Sequence, residues 1–252
     1  MDGTILLFLL QDGITNGAIY ALLGIALVLV FAVTRVIFIP QGEFVAFGAL
    51  TYALLEAGKV PGTVWLLAGF GLLAFVFDVV AAVREGALAR RLPKAVLIDL
   101  AIPGALVAAT LAVAGRELGS GAHFALTLAL ITPLGPLLYR VAFQPIAGAS
   151  ILTLMITAVG VHLALVGLGL VFFGAEGLRA PAVSDLMVTI GPMLVTGQSL
   201  AVYAVATVAI VALWLFFDRA LWGKALRATA VNRLGARLVG IRTGFACSLA
   251  FA

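Results

Sequence analysis

From Val195 to Phe217 the chain runs for 23 residues without an Asp, Glu, Lys, Arg or His. A run of about 20 apolar residues is long enough to cross a hydrocarbon core as a helix. Comparable runs recur along the chain. In lipid the backbone must satisfy its own hydrogen bonds, so runs of this length are helices rather than open strands. Barrel strands would instead show short alternating segments, which are missing here. Composition agrees: 64% of residues are hydrophobic and 10% charged, against about 45–50% and about 25% in soluble domains. A surface so poor in charge would not stay soluble in water. The expected fold is all-α, a polytopic transmembrane helical bundle forming a single domain over residues 1–252.

The runs place spans near Thr4–Val33, Val36–Leu55, Thr63–Val83, Ala95–Ala114, Ala122–Val141, Ser150–Phe173 and Ser199–Phe217. An eighth begins near Gly244 and reaches Ala252. Nine residues at ~1.5 Å rise cover ~14 Å of a ~30 Å core, so this span is expected to be truncated in the sequence. The start, Met1-Asp2-Gly3, lacks the basic region of a cleaved leader, and the first run reads as a retained helix. Threading these spans puts Arg35, Arg84, Arg90, Arg91, Lys94, Arg140, Arg219, Lys224, Arg227, Arg233, Arg237 and Arg242 on one side. Lys59, Arg116 and Arg179 fall on the other. Basic residues favour the cytoplasmic side. The N-terminus is then extracytoplasmic and loop 218–243 cytoplasmic. The external connection Gly174–Gln198, with Glu176, Arg179 and Asp185, has room for a short surface helix.

Loop 218–243 is the most informative segment. Val231, Leu234, Leu238 and Ile241 recur at steps of three and four, and Thr229, Arg233 and Arg237 line another face. That spacing predicts one amphipathic helix. It either rests on anionic lipid or docks a cytoplasmic partner. Gly235 in mid-helix costs about 1 kcal/mol relative to Ala and suits close approach of another backbone. In the first run, Gly13, Gly17 and Ala21 form a small-residue stripe that predicts tight helix packing. Asn16 and Tyr20 lie close to it, placed for an interhelical hydrogen bond or for the pathway. Pro40 and Gly42 interrupt an apolar run beside Gln41 and Glu43. A carboxylate at membrane depth must be paired, protonated or wet, so Gln41, Gly42 and Glu43 either snorkel to the interface or line the translocation path. Asp78 and Asp99 read as structural ion-pairing groups near the basic interface, His162 as a packing residue and His123 as interfacial.

Four segments, taken in order, resemble the branched-chain amino acid permeases of ABC importers. They are Gly13–Leu22 (GITNGAIYAL), Pro40–Ala49 (PQGEFVAFGA), Tyr139–Ser150 (YRVAFQPIAGAS) and Gly223–Ile241 (GKALRATAVNRLGARLVGI). In the last, Arg227, Ala228, Ala230, Asn232, Ala236, Leu238, Gly240 and Ile241 fall on the family pattern, and Gly235 stands where Ala is common. Gln144 and Ala147 replace the family's usual basic residues. Residues 84–138 look like a two-span insertion, which preserves the side of everything downstream.

The resemblance implies a transport subunit in the bacterial inner membrane, carrying a branched-chain amino acid or a related small polar solute. Arg227, Ala228, Asn232, Arg233, Ala236, Arg237 and Gly240 would form the ATPase-coupling helix. The implied partners are a second permease subunit (homologous or identical), ABC ATPase subunits that bind ATP and Mg, an extracytoplasmic binding protein and membrane lipid, with no role for nucleic acid. The chain carries no G-x-x-x-x-G-K-[ST] phosphate loop and no H-E-x-x-H or G-x-S-x-G motif, so no cofactor, metal or catalytic residue of its own is expected. Cys247, its one cysteine, excludes an internal disulfide. The rival readings are a stand-alone secondary transporter or channel, which would need an intramembrane ionisable network, and an intramembrane enzyme.

Overall fold

A computed structural model describes residues 3–86, 88–116, 119–180, 182, 186–190 and 193–252. Helices dominate: α1 (Gly3–Thr34), α2 (Gln41–Glu56), α3 (Thr63–Arg84), α4 (Leu88–Ala95), α5 (Ile102–Val113), α6 (Ser120–Leu138), α7 (Ile151–Phe173), α8 (Gly197–Arg219), α9 (Leu221–Val231), α10 (Arg233–Leu238) and α11 (Thr243–Ala250). Among the described residues, six helical stretches are long and apolar enough to cross a membrane: Ile5–Thr34, Thr63–Arg84, Ala89–Val113, Ser120–Ile146, Ile151–Phe173 and Gly197–Arg219. They coincide with the expected first, third, fourth, fifth, sixth and seventh spans.

The expected second span differs. Its helix starts only at Gln41 and has 16 residues, about 24 Å at 1.5 Å per residue, short of a ~30 Å core. Pro40 explains the late start. It cannot donate a backbone hydrogen bond, and Arg35 sits at φ 64°, a left-handed conformation uncommon outside glycine. Residues 35–38 are therefore non-helical. Val36, Phe38 and Pro40 are nonetheless buried, which is how irregular backbone is tolerated at membrane depth. The eighth element, α11, is an eight-residue helix.

Contacts divide the chain into two compact units. The first holds residues 1–33 and 181–246. In it α1 and α8 meet through polar side chains: the Thr15 and Tyr203 hydroxyls lie 2.7 Å apart, and the Tyr203 hydroxyl donates to the Gln11 carbonyl at 3.2 Å. The connection before α8, which has room for a short helix, forms a β-hairpin instead. Strand β1 (Met187–Ile190) pairs antiparallel with β2 (Met193–Thr196), Val188 opposite Val195. Asp185, noted in the same connection, lies outside the described residues. Thr196 caps α8 by accepting from the Ser199 amide.

The second unit holds residues 34–180 and 247–252. An aromatic cluster forms part of its core: Phe251 packs on Phe38 at 4.8 Å, on Tyr139 at 5.0 Å and on Phe143 at 5.8 Å between ring centres. The cluster pins the irregular stretch that precedes α2. Gly135 is required beside it, because a Cβ there would collide with the Phe251 carbonyl. Between α4 and α5, Val96–Ala101 takes a π-helical turn. Pro103 cannot return an i→i−4 bond to the Asp99 carbonyl, and π turns accommodate such interruptions. Gly71 of α3 packs against that carbonyl so closely that a side chain would not fit.

Candidate functional site

The basic loop of the first unit is not one amphipathic helix. It breaks at Asn232, whose backbone is extended at φ −148°, ψ 99°. Asn232 Oδ1 accepts a hydrogen bond from the Gly235 amide at 2.9 Å, an N-cap that satisfies one orphan donor at the start of α10. The other end of α10 closes symmetrically. The Ile241 amide donates to Ala236 O at 3.0 Å and the Gly240 amide to Arg237 O at 3.1 Å. That is a Schellman closure with glycine at the left-handed position, φ 84°. Three motif residues thus act locally. Asn232 and Gly240 cap the helix, and Gly235, whose Cβ would lie 3.1 Å from the Asn232 side-chain amide, leaves space for the cap. Gly235 is not at mid-helix as the periodicity implied.

Gly223 has a comparable task. A Cβ on it would strike the Phe216 carbonyl, so glycine lets α9 fold back on the end of α8. Ala236 is buried, Ala228 and Arg233 are half-buried, and Arg227 and Arg237 are exposed. Arg237 Nε donates to the Thr243 hydroxyl at 3.2 Å. Val231, at 86% exposure, stands out with Leu234, Leu238 and Val239. The loop therefore presents large apolar side chains amid arginines, on two short helices of which α10 is capped at both ends.

In the second unit, Glu43 lies in the first turn of α2 and His162 at the centre of α7. Glu43 Oε1 is 2.8 Å from His162 Nδ1, and Glu43 Oε2 is buried with no hydrogen-bond partner. Gln41 is half-buried and Gly42 exposed beside them. At the other end of α2, Glu56 Oε1 meets His123 Nδ1 at 3.0 Å, and His123, in the first turn of α6, is buried within the protein. A third cluster centres on Arg140. Its guanidinium holds Asp99, which is fully buried, and Asp78. The carboxylates pair with Arg140, not with the Arg84 and Lys94 that lie near them in sequence. A cavity of about 470 Å³ borders Asp78, Arg84, Glu85, Arg140 and Gln144.

The first-span residues come out differently. Gly13, Gly17, Asn16, Tyr20 and Ala21 are exposed. A Cβ added at Gly13 or Gly17 would meet no atom within 4 Å among the described residues. The small-residue stripe therefore does not pack inside its own unit. The polar contact to α8 falls to Gln11 and Thr15, one face round from Asn16 and Tyr20. Among the described residues, no group of three or more His, Cys, Asp or Glu is gathered that would hold a metal. Comparison with protein-family models, curated proteins and solved structures finds no match.

Proposed function

We propose that the chain is the membrane permease subunit of an ABC importer, moving a branched-chain amino acid or a related small polar solute, with ATP hydrolysed on a separate subunit. The observation that carries this reading is the loop 219–243. It folds as two short helices, the second capped at both ends, that offer Val231, Leu234 and Leu238 together with Arg227 and Arg237 to a partner, on a chain whose sequence has no phosphate-binding loop of its own. The four-segment resemblance points the same way. On this reading α2 and the buried extended stretch before it together complete the second of eight crossings, and the loop faces the cytoplasm. Glu43, in the first turn of α2, and His162, at the centre of α7, line the path. Closure of the ATPase pair would move α9 and α10 and so bias the permease between its two states, as any ligand does through differential affinity.

A second reading has one observation in its favour. The ionisable groups that looked scattered in sequence form three clusters in one unit: Glu43 with His162, Glu56 with His123, and Asp78 and Asp99 with Arg140. Intramembrane clusters of this kind are the equipment of an ion-coupled secondary transporter.

Uptake decides between them. The complex captured through a tag on this chain from its native membrane, reconstituted in liposomes with ATP inside, should accumulate labelled leucine or an analogue only with ATP. Glu43→Gln should lower that uptake at least tenfold without changing the subunits captured. Uptake by the chain alone, driven by a proton gradient without ATP, would overturn the ABC reading in favour of the second.

A further inference from the structure

The span Ile5–Thr34 of α1 carries one charge, Asp12. Its 30 residues cover about 45 Å at 1.5 Å per residue, the full depth of a bilayer with its headgroups. Asp12 lies about 10 Å in from the N-terminal end, Asn16 about 6 Å deeper, and Tyr20 at the middle of the span. At steps of four the three share one face of the helix. All three are exposed, Tyr20 at 72%, and among the described residues their side chains have no hydrogen-bond or ion-pair partner. The basic residues of the unit all follow Asp218 in sequence. Arg219, the first of them, is about 24 Å along α8 from Tyr203, which touches Thr15. Neither α1 nor α8 therefore brings a cation to Asp12.

Lipid does not suit such a face. A carboxylate at membrane depth must be paired, protonated or wet, and an amide or phenol hydroxyl without a partner is costly in hydrocarbon. A second copy of α1 would set carboxylate against carboxylate. Beside the polar side chains, Gly13 and Gly17 leave open space, since an added Cβ there would meet nothing within 4 Å. We infer that Asp12, Asn16 and Tyr20 line a water-filled half-channel that opens at the N-terminal end of α1, and that Asp12 selects at its mouth for a solute carrying an ammonium group. Asn16 and Tyr20 both donate and accept hydrogen bonds, and would replace water shed by the solute as it descends about 12 Å to mid-membrane. The half-channel stands on membrane insertion alone. That the ammonium belongs to an amino acid rests on the permease reading.

The test is cysteine accessibility in the full chain carrying Cys247→Ser, in spheroplasts and in inside-out vesicles of its own host. Asn16→Cys and Tyr20→Cys should be modified from one face by membrane-impermeant methanethiosulfonates, because the thiolate is the reacting form and needs water to persist. Leu10→Cys and Ile14→Cys, exposed on the opposite side of α1 at similar depth, should stay unmodified against lipid. A carboxylate about 6 Å away along the helix speeds a cationic reagent and slows an anionic one by about threefold each in water. Adding Asp12→Asn to Asn16→Cys should therefore lower the cation-to-anion rate ratio about tenfold while both reagents still reach the thiol. Silence of Asn16→Cys and Tyr20→Cys from both faces would overturn the half-channel, since the face would then be packed against another helix or against lipid. Equal reaction at Leu10→Cys and Ile14→Cys would overturn it as well. An unchanged ratio would overturn selection by Asp12. Asn16→Cys carries the test alone should Tyr20→Cys fail to insert. None of these readouts needs ATP or uptake, so failure here is separable from failure of the permease reading.

Discussion

Arg140→Leu is expected to destabilise the second unit by about 3–5 kcal/mol, the usual cost of removing one partner from a buried ion pair. Asp99 has a fully buried side chain and depends on this guanidinium. Without it a carboxylate would be stranded in a low-dielectric interior, or would have to take up a proton. Asp78 would suffer less, because its side chain is 41% exposed. The double variant Arg140→Leu with Asp99→Asn should recover most of the loss, since it removes the stranded charge rather than the partner alone. The chain carries its own reporter: Cys247 belongs to the same unit and is fully buried. Heating the detergent-solubilised chain with a thiol-reactive fluorogenic dye should show Arg140→Leu melting well below wild type, and the double variant close to wild type. Equal melting of all three would mean that the Arg140 cluster contributes nothing to stability.

The same cluster ties the segment that resembles an insertion to the rest of its unit. Asp99 lies within 84–138, Arg140 opens the Tyr139–Ser150 segment, and Asp78 is on α3. Residues 84–138 are therefore fastened by charge as well as by packing, through Gly71 against the Asp99 carbonyl. A sequence reading could not have reached this. Arg140 is 62 residues from Asp78 and 41 from Asp99, whereas Arg84 and Lys94 are close neighbours in the chain. Proximity in sequence is a poor guide to ion pairs made between helices.

What was legible follows from length. An apolar run of 20 residues or more has few alternatives in lipid, and the six long helices sit where the hydropathy puts them. The second span was misjudged at its start, because Val36–Ile39 is as apolar as the helix it precedes. Pro40 marked an interruption, but the left-handed turn at Arg35 had no signal. In the loop, the period of Val231, Leu234, Leu238 and Ile241 ran through Asn232 and concealed a break that the capping preference of Asn and the Gly240 terminator together announce. The hairpin at Met187–Thr196 has a sequence signal, Gly191-Pro192 between two short β-branched stretches. Glu43 is a carboxylate on an apolar run, which must be paired, protonated or wet, and it lies 2.8 Å from His162 Nδ1. That the partner is His162 depended on how α2 and α7 pack.

The second large effect concerns the loop. If the proposed function holds, reversing two charges, Arg227→Glu with Arg233→Glu, should abolish capture of an ATPase subunit while the chain still inserts and folds. A charged group desolvated at an interface costs about 2–5 kcal/mol when its partner is lost. Two such losses weaken association at least about a thousandfold. Cys247 should remain as unreactive as in wild type, showing that the second unit survives, and an unchanged helical circular dichroism spectrum should show that the loop helices do. Undiminished capture of the ATPase by the double variant would count against docking at these helices.

The docking proposal depends on which side of the membrane α9 and α10 occupy, and that in turn depends on whether the short α2 completes a crossing. Labelling answers both at once. In a Cys247→Ser background, Val231→Cys places a single thiol at the most exposed apolar position of the loop. A membrane-impermeant maleimide should leave it untouched in spheroplasts and modify it fully in inside-out vesicles. Modification in intact spheroplasts would put the loop outside the cell, beyond reach of any ATPase, and would contradict the account.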